Sequence, residues 1–98
     1  MKISKNIWID EKVKCNKWQL MRLKLTNTCN LKGYVICTGS KTQWLFEIVE
    51  IHQIKEQHKT CYAVGIAHSK QSAIAQVAVL IDQIYNQKNY TYESLKIN

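Results

Sequence analysis

The chain has 98 residues, enough for one domain around a modest core, and at 46% hydrophobic and 21% charged residues it has an ordinary globular composition. No apolar run reaches the ~18 residues needed to cross a bilayer, and residues 1–5 lead into no apolar signal segment; the sequence predicts a cytoplasmic chain with reduced cysteines and no membrane partner. Fourteen Lys and Arg against seven Asp and Glu give a net charge of +7, a potential that attracts phosphates or carboxylates.

In chain order, the first predicted element is a short strand at Ile7, Trp8 and Ile9. Residues 21–26 alternate apolar and polar, the period of a half-buried strand, with Met21, Leu23 and Leu25 inward and Arg22, Lys24 and Thr26 outward. Residues 34–38, bracketed by Gly33 and Gly39, read as a third strand. A long fourth strand covers 44–54. In it Trp44, Phe46 and Ile48 share a face that Val49 and Ile51 then take over, a phase slip that predicts a β-bulge near Ile48 and Val49. The fifth strand, 60–68, turns Tyr62, Val64 and Ile66 inward. A hairpin loop at 55–58 would set Ile51 opposite Tyr62 and Val49 opposite Val64, with His52 opposite Cys61 and Glu50 opposite Ala63 on the other face.

Ser69 is placed to cap a helix. Ile74, Val77, Ala78, Ile81, Ile84 and Tyr85 recur at helical spacing and predict one apolar stripe, ending at residues 86–89. Residues 90–92 form a short extended tail that packs back. The expected fold is a single α+β domain, residues 1–98: about five strands in a mostly antiparallel sheet, with one C-terminal helix packed on one face. The opposite face, carrying Glu50, His52, Arg22 and Lys24, is left to solvent or a partner.

The charge is unevenly placed. Residues 1–41 hold nine Lys or Arg and two acids, whereas residues 42–98 hold five of each sign, so the whole excess lies in the first part of the chain. Arg22 is the only arginine; lysine is a hydrated point charge without the planar fork that reads bases or grips phosphates in pairs. Trp18 stands among Lys14, Lys17, Arg22 and Lys24. A tryptophan ringed by cations can anchor an interface or stack on bases, and these five residues are the candidate partner-binding site.

Motifs for chemistry are missing from the sequence. There is no P-loop, G-x-G-x-x-G, G-x-S-x-G or H-E-x-x-H, and three glycines cannot build a phosphate cradle of those kinds. Cys15, Cys29, Cys37 and Cys61 include no C-x-x-C pair, so neither a metal nor another cofactor is expected. Cys37 reads as a small buried hydrophobe. His52 beside Cys61 is the one arrangement that could activate a nucleophile, but it would lie on an open sheet face without oxyanion donors or an orienting third group. The sequence therefore predicts no catalytic residues and a protein that works by binding.

Two resemblances bear on the partner. Residues 65–78, GIAHSKQSAIAQVA, resemble the C-terminal strand and helix of double-stranded-RNA-binding domains through Ser69, Lys70, Ala73 and Ala78; Gln71 and Ile74 replace two lysines of that pattern and Val77 an alanine. The resemblance implies a nucleic-acid-binding protein whose helix start spans phosphates. In length, build, Lys/Ile/Asn/Gln-rich composition and want of enzyme motifs the whole chain resembles the small bacterial immunity proteins paired with contact-dependent growth-inhibition toxins. That resemblance implies a tight complex with a cognate toxin; the basic charge adds a toxin face rich in carboxylates.

Overall fold

A computed structural model describes residues 1–26, 31–39, 45–88 and 91–96. The order of elements is β1 (Lys2–Ile9), α1 (Lys17–Thr26), β2 (Tyr34–Thr38), β3 (Phe46–Glu50), β4 (Tyr62–Ala67) and α2 (Lys70–Tyr85), with short 3-10 segments at Ile51–Gln53, Glu56–His58 and Glu93–Lys96. The strands form one mixed sheet in the order β1-β4-β2-β3. β1 runs parallel to β4, while β2 is antiparallel to both β4 and β3. The α+β class holds, but with four described strands and two helices instead of five strands and one helix.

The largest correction is at residues 21–26, which are the second half of α1. Its start is fixed by a reciprocal capping box: the Gln19 amide donates to Asn16 Oδ1 (2.9 Å) and the Asn16 amide to Gln19 Oε1 (3.0 Å). From that start the run Lys-Trp-Gln-Leu-Met-Arg-Leu-Lys-Leu is rich in strong helix formers, and Leu20 and Leu23, three apart, turn to the core. The alternation at 21–26 is a coincidence of composition, and Met21 and Leu25, expected inside, are exposed.

The predicted β3–β4 hairpin is also replaced. Among the described residues β3 pairs only with β2 (Val35 with Val49), and β4 lies between β1 and β2 (Val35 with Ile66). The β2–β3 register is regular from Tyr34–Glu50 to Thr38–Phe46, so there is no bulge at Ile48 and Val49. The phase slip in the sequence instead marks the end of the strand. The chain turns into the 3-10 segment after Glu50, where the Ile51 amide donates to the Gly33 carbonyl (3.0 Å) and Ile51 is buried. The ladder irregularities lie elsewhere, between Ile36 and Cys37 against β4 and between Ile3 and Trp8 of β1. Trp44 falls outside the described residues.

Both sheet faces are covered, which corrects the expectation of one open face. One core joins Leu23 of α1 to Val35, Cys37, Val49, Ala63 and Ile66. The other joins Ala73 and Leu80 of α2 to Ile36, Val64, Ala67 and Leu95. The cause is visible in β2 and β4, whose central residues are buried without a break; such runs belong to strands packed on both sides.

Ser69 caps α2 as expected, accepting from the Ser72 amide (3.1 Å). The tail packs back through a 3-10 segment: Leu95 is buried, and Tyr92 donates its hydroxyl to the Leu45 carbonyl (2.8 Å) with its ring edge-on to Phe46.

Candidate functional site

The outer face of α1 is built by helical spacing. Trp18, Met21 and Leu25, at i, i+3 and i+7, lie on one side, opposite the buried Leu23. Trp18 is 75% exposed and Leu25 74%, unusual values for residues of this size. Arg22 projects on one flank of that stripe, and Lys17 and Lys24 on the other. Lys14 precedes the helix, and all four cations are exposed. The structure thus brings the five sequence-selected residues onto one helix and the loop before it. It adds Met21 and Leu25, which the strand reading had assigned to the core.

The surroundings extend this charge. β1 is an edge strand, and α1 lies against it. Lys2 and Lys5 of β1 and Lys12 of the connecting loop are exposed at the same edge. Of the two acids in residues 1–26, Asp10 is buried and internally bonded. An apolar stripe in a cationic margin results.

Asp10 is the main polar anchor of this edge. Its carboxylate accepts from the Lys12 amide (3.1 Å), the His68 amide (3.2 Å), the Ser72 hydroxyl (2.8 Å) and His68 Nδ1. The His68 side-chain bond, with the Lys12 amide next in weight, holds the Asp10 carboxyl well below the usual carboxylate range. These bonds tie the end of β1 to the β4–α2 junction. Serine and histidine both address the aspartate rather than each other, so this is not the relay of a serine nucleophile.

His52 and Cys61 are not brought together. His52 is exposed in the 3-10 segment after β3, while Cys61 is buried before β4, beside Cys37 in the core on the α1 side. Burial pushes both the Cys37 and Cys61 thiols up, away from the reactive thiolate. The histidine that packs inside is His58. Its Nδ1 accepts from the Lys55 amide (3.0 Å), which leaves Nε2 to donate to Glu47 (2.6 Å). An open groove of about 720 Å³ runs along β3 past this pair, lined by Glu50, His52, Lys55 and Lys70 among others, a mixed-charge surface without convergent groups of one kind. Among the described residues no three His, Cys, Asp or Glu side chains stand close enough to hold a metal ion, and no helix is long and apolar enough to cross a membrane. Cys29 lies outside the described residues.

At the start of α2, the region resembling an RNA-binding helix presents Lys70, Gln71 and Ile74 to solvent, one cation among three exposed side chains. No family model, curated protein or solved structure matches this chain.

Proposed function

We propose that the chain is a non-enzymatic binding protein that docks α1 onto an acidic protein surface, acting as an immunity protein that neutralises a cognate bacterial toxin. The observation that carries this reading is the exposed stripe Trp18, Met21 and Leu25 inside its margin of Lys14, Lys17, Arg22 and Lys24. An exposed tryptophan with two large aliphatic neighbours supplies the desolvated centre of an interface, and the cations supply its polar rim. The rim charges steer encounter with a carboxylate-rich face and reject basic ones, while burial of Trp18 sets the dissociation rate.

A protein partner is preferred to nucleic acid on three grounds. Met21 and Leu25 share the face with Trp18 and offer a base edge no hydrogen bond. Arg22 is the only arginine. The start of α2 has lost the cations that would span phosphates.

The experiment is co-expression of the chain with the C-terminal domain encoded by the neighbouring upstream frame. The proposal expects protection of growth and a stoichiometric complex, both weakened by Trp18→Ala, the complex by roughly 30-fold or more. Equal protection by Trp18→Ala, or tight binding to arbitrary duplex RNA with an affinity falling log-linearly in salt, overturns it.

A further inference from the structure

β3 is an edge strand: it pairs with β2 on one side and, among the described residues, with nothing on the other. The bonds at its two ends fix where its backbone groups point. The Gly39 amide donates to the Leu45 carbonyl, and the Ile51 amide to the Gly33 carbonyl. Antiparallel bonding alternates along a strand, so Leu45, Glu47, Val49 and Ile51 address β2, while Phe46, Ile48 and Glu50 direct their backbone groups away from it. Phe46 and Ile48 each offer an amide and a carbonyl there, and Glu50 an amide, none with a partner among the described residues. The open groove of about 720 Å³ lies along this same edge, lined by Ile48, Val49, Ile54 and Lys70 among others. We propose that β3 takes up an extended segment of a protein partner as an added strand, apolar on the side that meets α2 and acidic where it reaches Lys70.

The form of the occupant follows from the backbone. A row of outward amides and carbonyls is satisfied by another strand, and side chains beside it then set the preference. Of the stripe expected on α2, Val77 and Ile84 pack on the sheet, whereas Ile74, Ile81 and Tyr85 are exposed. The orientation of α2 shows which way that exposed flank looks. Ser72 bonds Asp10 at the end of β1, so the Ser72 side of the helix is toward β1; Lys70, on the other side, lines the β3 groove. Ile74 and Ile81 follow Lys70 at i+4 and i+11 on that side, above the place an added strand would fill. Apolar residues of that strand would sit beside Ile48 and beneath Ile74 and Ile81. Charge decides the rest. Lys70 is exposed and is the first residue of α2, so its cation coincides with the positive end of the helix, on a molecule of net charge +7. That potential favours an acidic segment and disfavours a second copy of this chain. β3 and β1 are opposite edges of the sheet, so the proposal is independent of docking through α1.

The test is amide hydrogen exchange, read by NMR, on the full chain titrated with the end-capped peptide Glu-Thr-Val-Thr-Val-Thr-Glu. Its valines share one face with a glutamate at either end, so either strand direction brings an acid to Lys70. The amides of Phe46, Ile48 and Glu50 should become protected, and the same peptide with lysine at both ends should bind at least tenfold more weakly. Glu50 already has φ −62°, the value proline imposes, and its amide makes no ladder bond. Glu50→Pro should therefore weaken binding at least threefold, about the worth of one hydrogen bond. Glu50→Ala, which keeps the amide, should not weaken it, and Trp18→Ala should leave it unchanged. No protection at millimolar peptide, protection confined to α1, or equal weakening by Glu50→Ala overturns the proposal. So does protection of these three amides in the concentrated chain alone, which would assign the edge to a second copy.

Discussion

Trp18 contributes little to folding and, on this account, most to recognition. At 75% exposure its removal leaves no cavity, so Trp18→Ala should leave the melting temperature within a degree or two while weakening partner binding by about 2–4 kcal/mol, roughly 30- to 1,000-fold. Leu23, on the opposite side of α1 and fully buried, should behave in the opposite way. Leu23→Ala should cost about 2–5 kcal/mol of stability in denaturant melts. Asp10 adds a pH dependence of definite sign. Its carboxyl titrates lower in the folded protein than in the unfolded chain, so its stabilisation is complete above the ordinary carboxylate range, about pH 4, and is lost as pH falls toward its depressed folded value. Melting temperature measured from pH 6 downward should fall in the wild type. The fall should be shallower in Asp10→Asn, which starts from a lower value because the neutral amide accepts fewer of the four bonds. A parallel decline in both proteins would refute this role for Asp10.

At the level of elements, what could be read depended on whether the local signal had a competitor. Ser69 followed by a helical pattern had none, and the cap and the end of α2 near Asn86 are where the residues place them. Ser69→Ala should cost about 1 kcal/mol in the same melts. α1 was hidden because Arg22, Lys24 and Thr26 happen to alternate with Met21, Leu23 and Leu25. The decisive signal was the Asn16–Gln19 capping box, just upstream of that alternation. The phase slip after Ile48 was real, but a strand end and a bulge produce the same pattern. Only tertiary pairing tells them apart, here the contact of Ile51 with the Gly33 backbone. Gly33 itself is demanded by close approach. A Cβ there would stand 2.6 Å from the Ala67 carbonyl oxygen, so Gly33→Ala should destabilise the β2–β4 junction by more than 1 kcal/mol, about the scale of other backbone-strain substitutions.

For the molecule as a whole, the class of fold was legible, because apolar strands followed by an amphipathic helix allow few layer arrangements. Strand order was not. β1 pairs in parallel with β4, whose first residue, Tyr62, lies opposite Lys2 far along the chain, and no turn chemistry announces such a pairing. The covering of both faces was written in the unbroken apolar runs of β2 and β4, which mean burial on two sides. The candidate site was found from charge and one aromatic, and the same residues now stand on a helix, where Met21 and Leu25 complete the face. The charge imbalance along the sequence becomes a spatial one, because β1 and α1 occupy one edge of the sheet. Raising salt should therefore slow association with an acidic partner about tenfold or more while changing dissociation little, in stopped-flow or surface-plasmon measurements. The most direct test of the central claim is the affinity of the chain for the purified C-terminal domain of whatever protein the neighbouring upstream frame encodes, with Trp18→Ala as the comparison. The account predicts a one-to-one complex weakened at least 30-fold by the substitution; an affinity unchanged by the loss of Trp18 would contradict it.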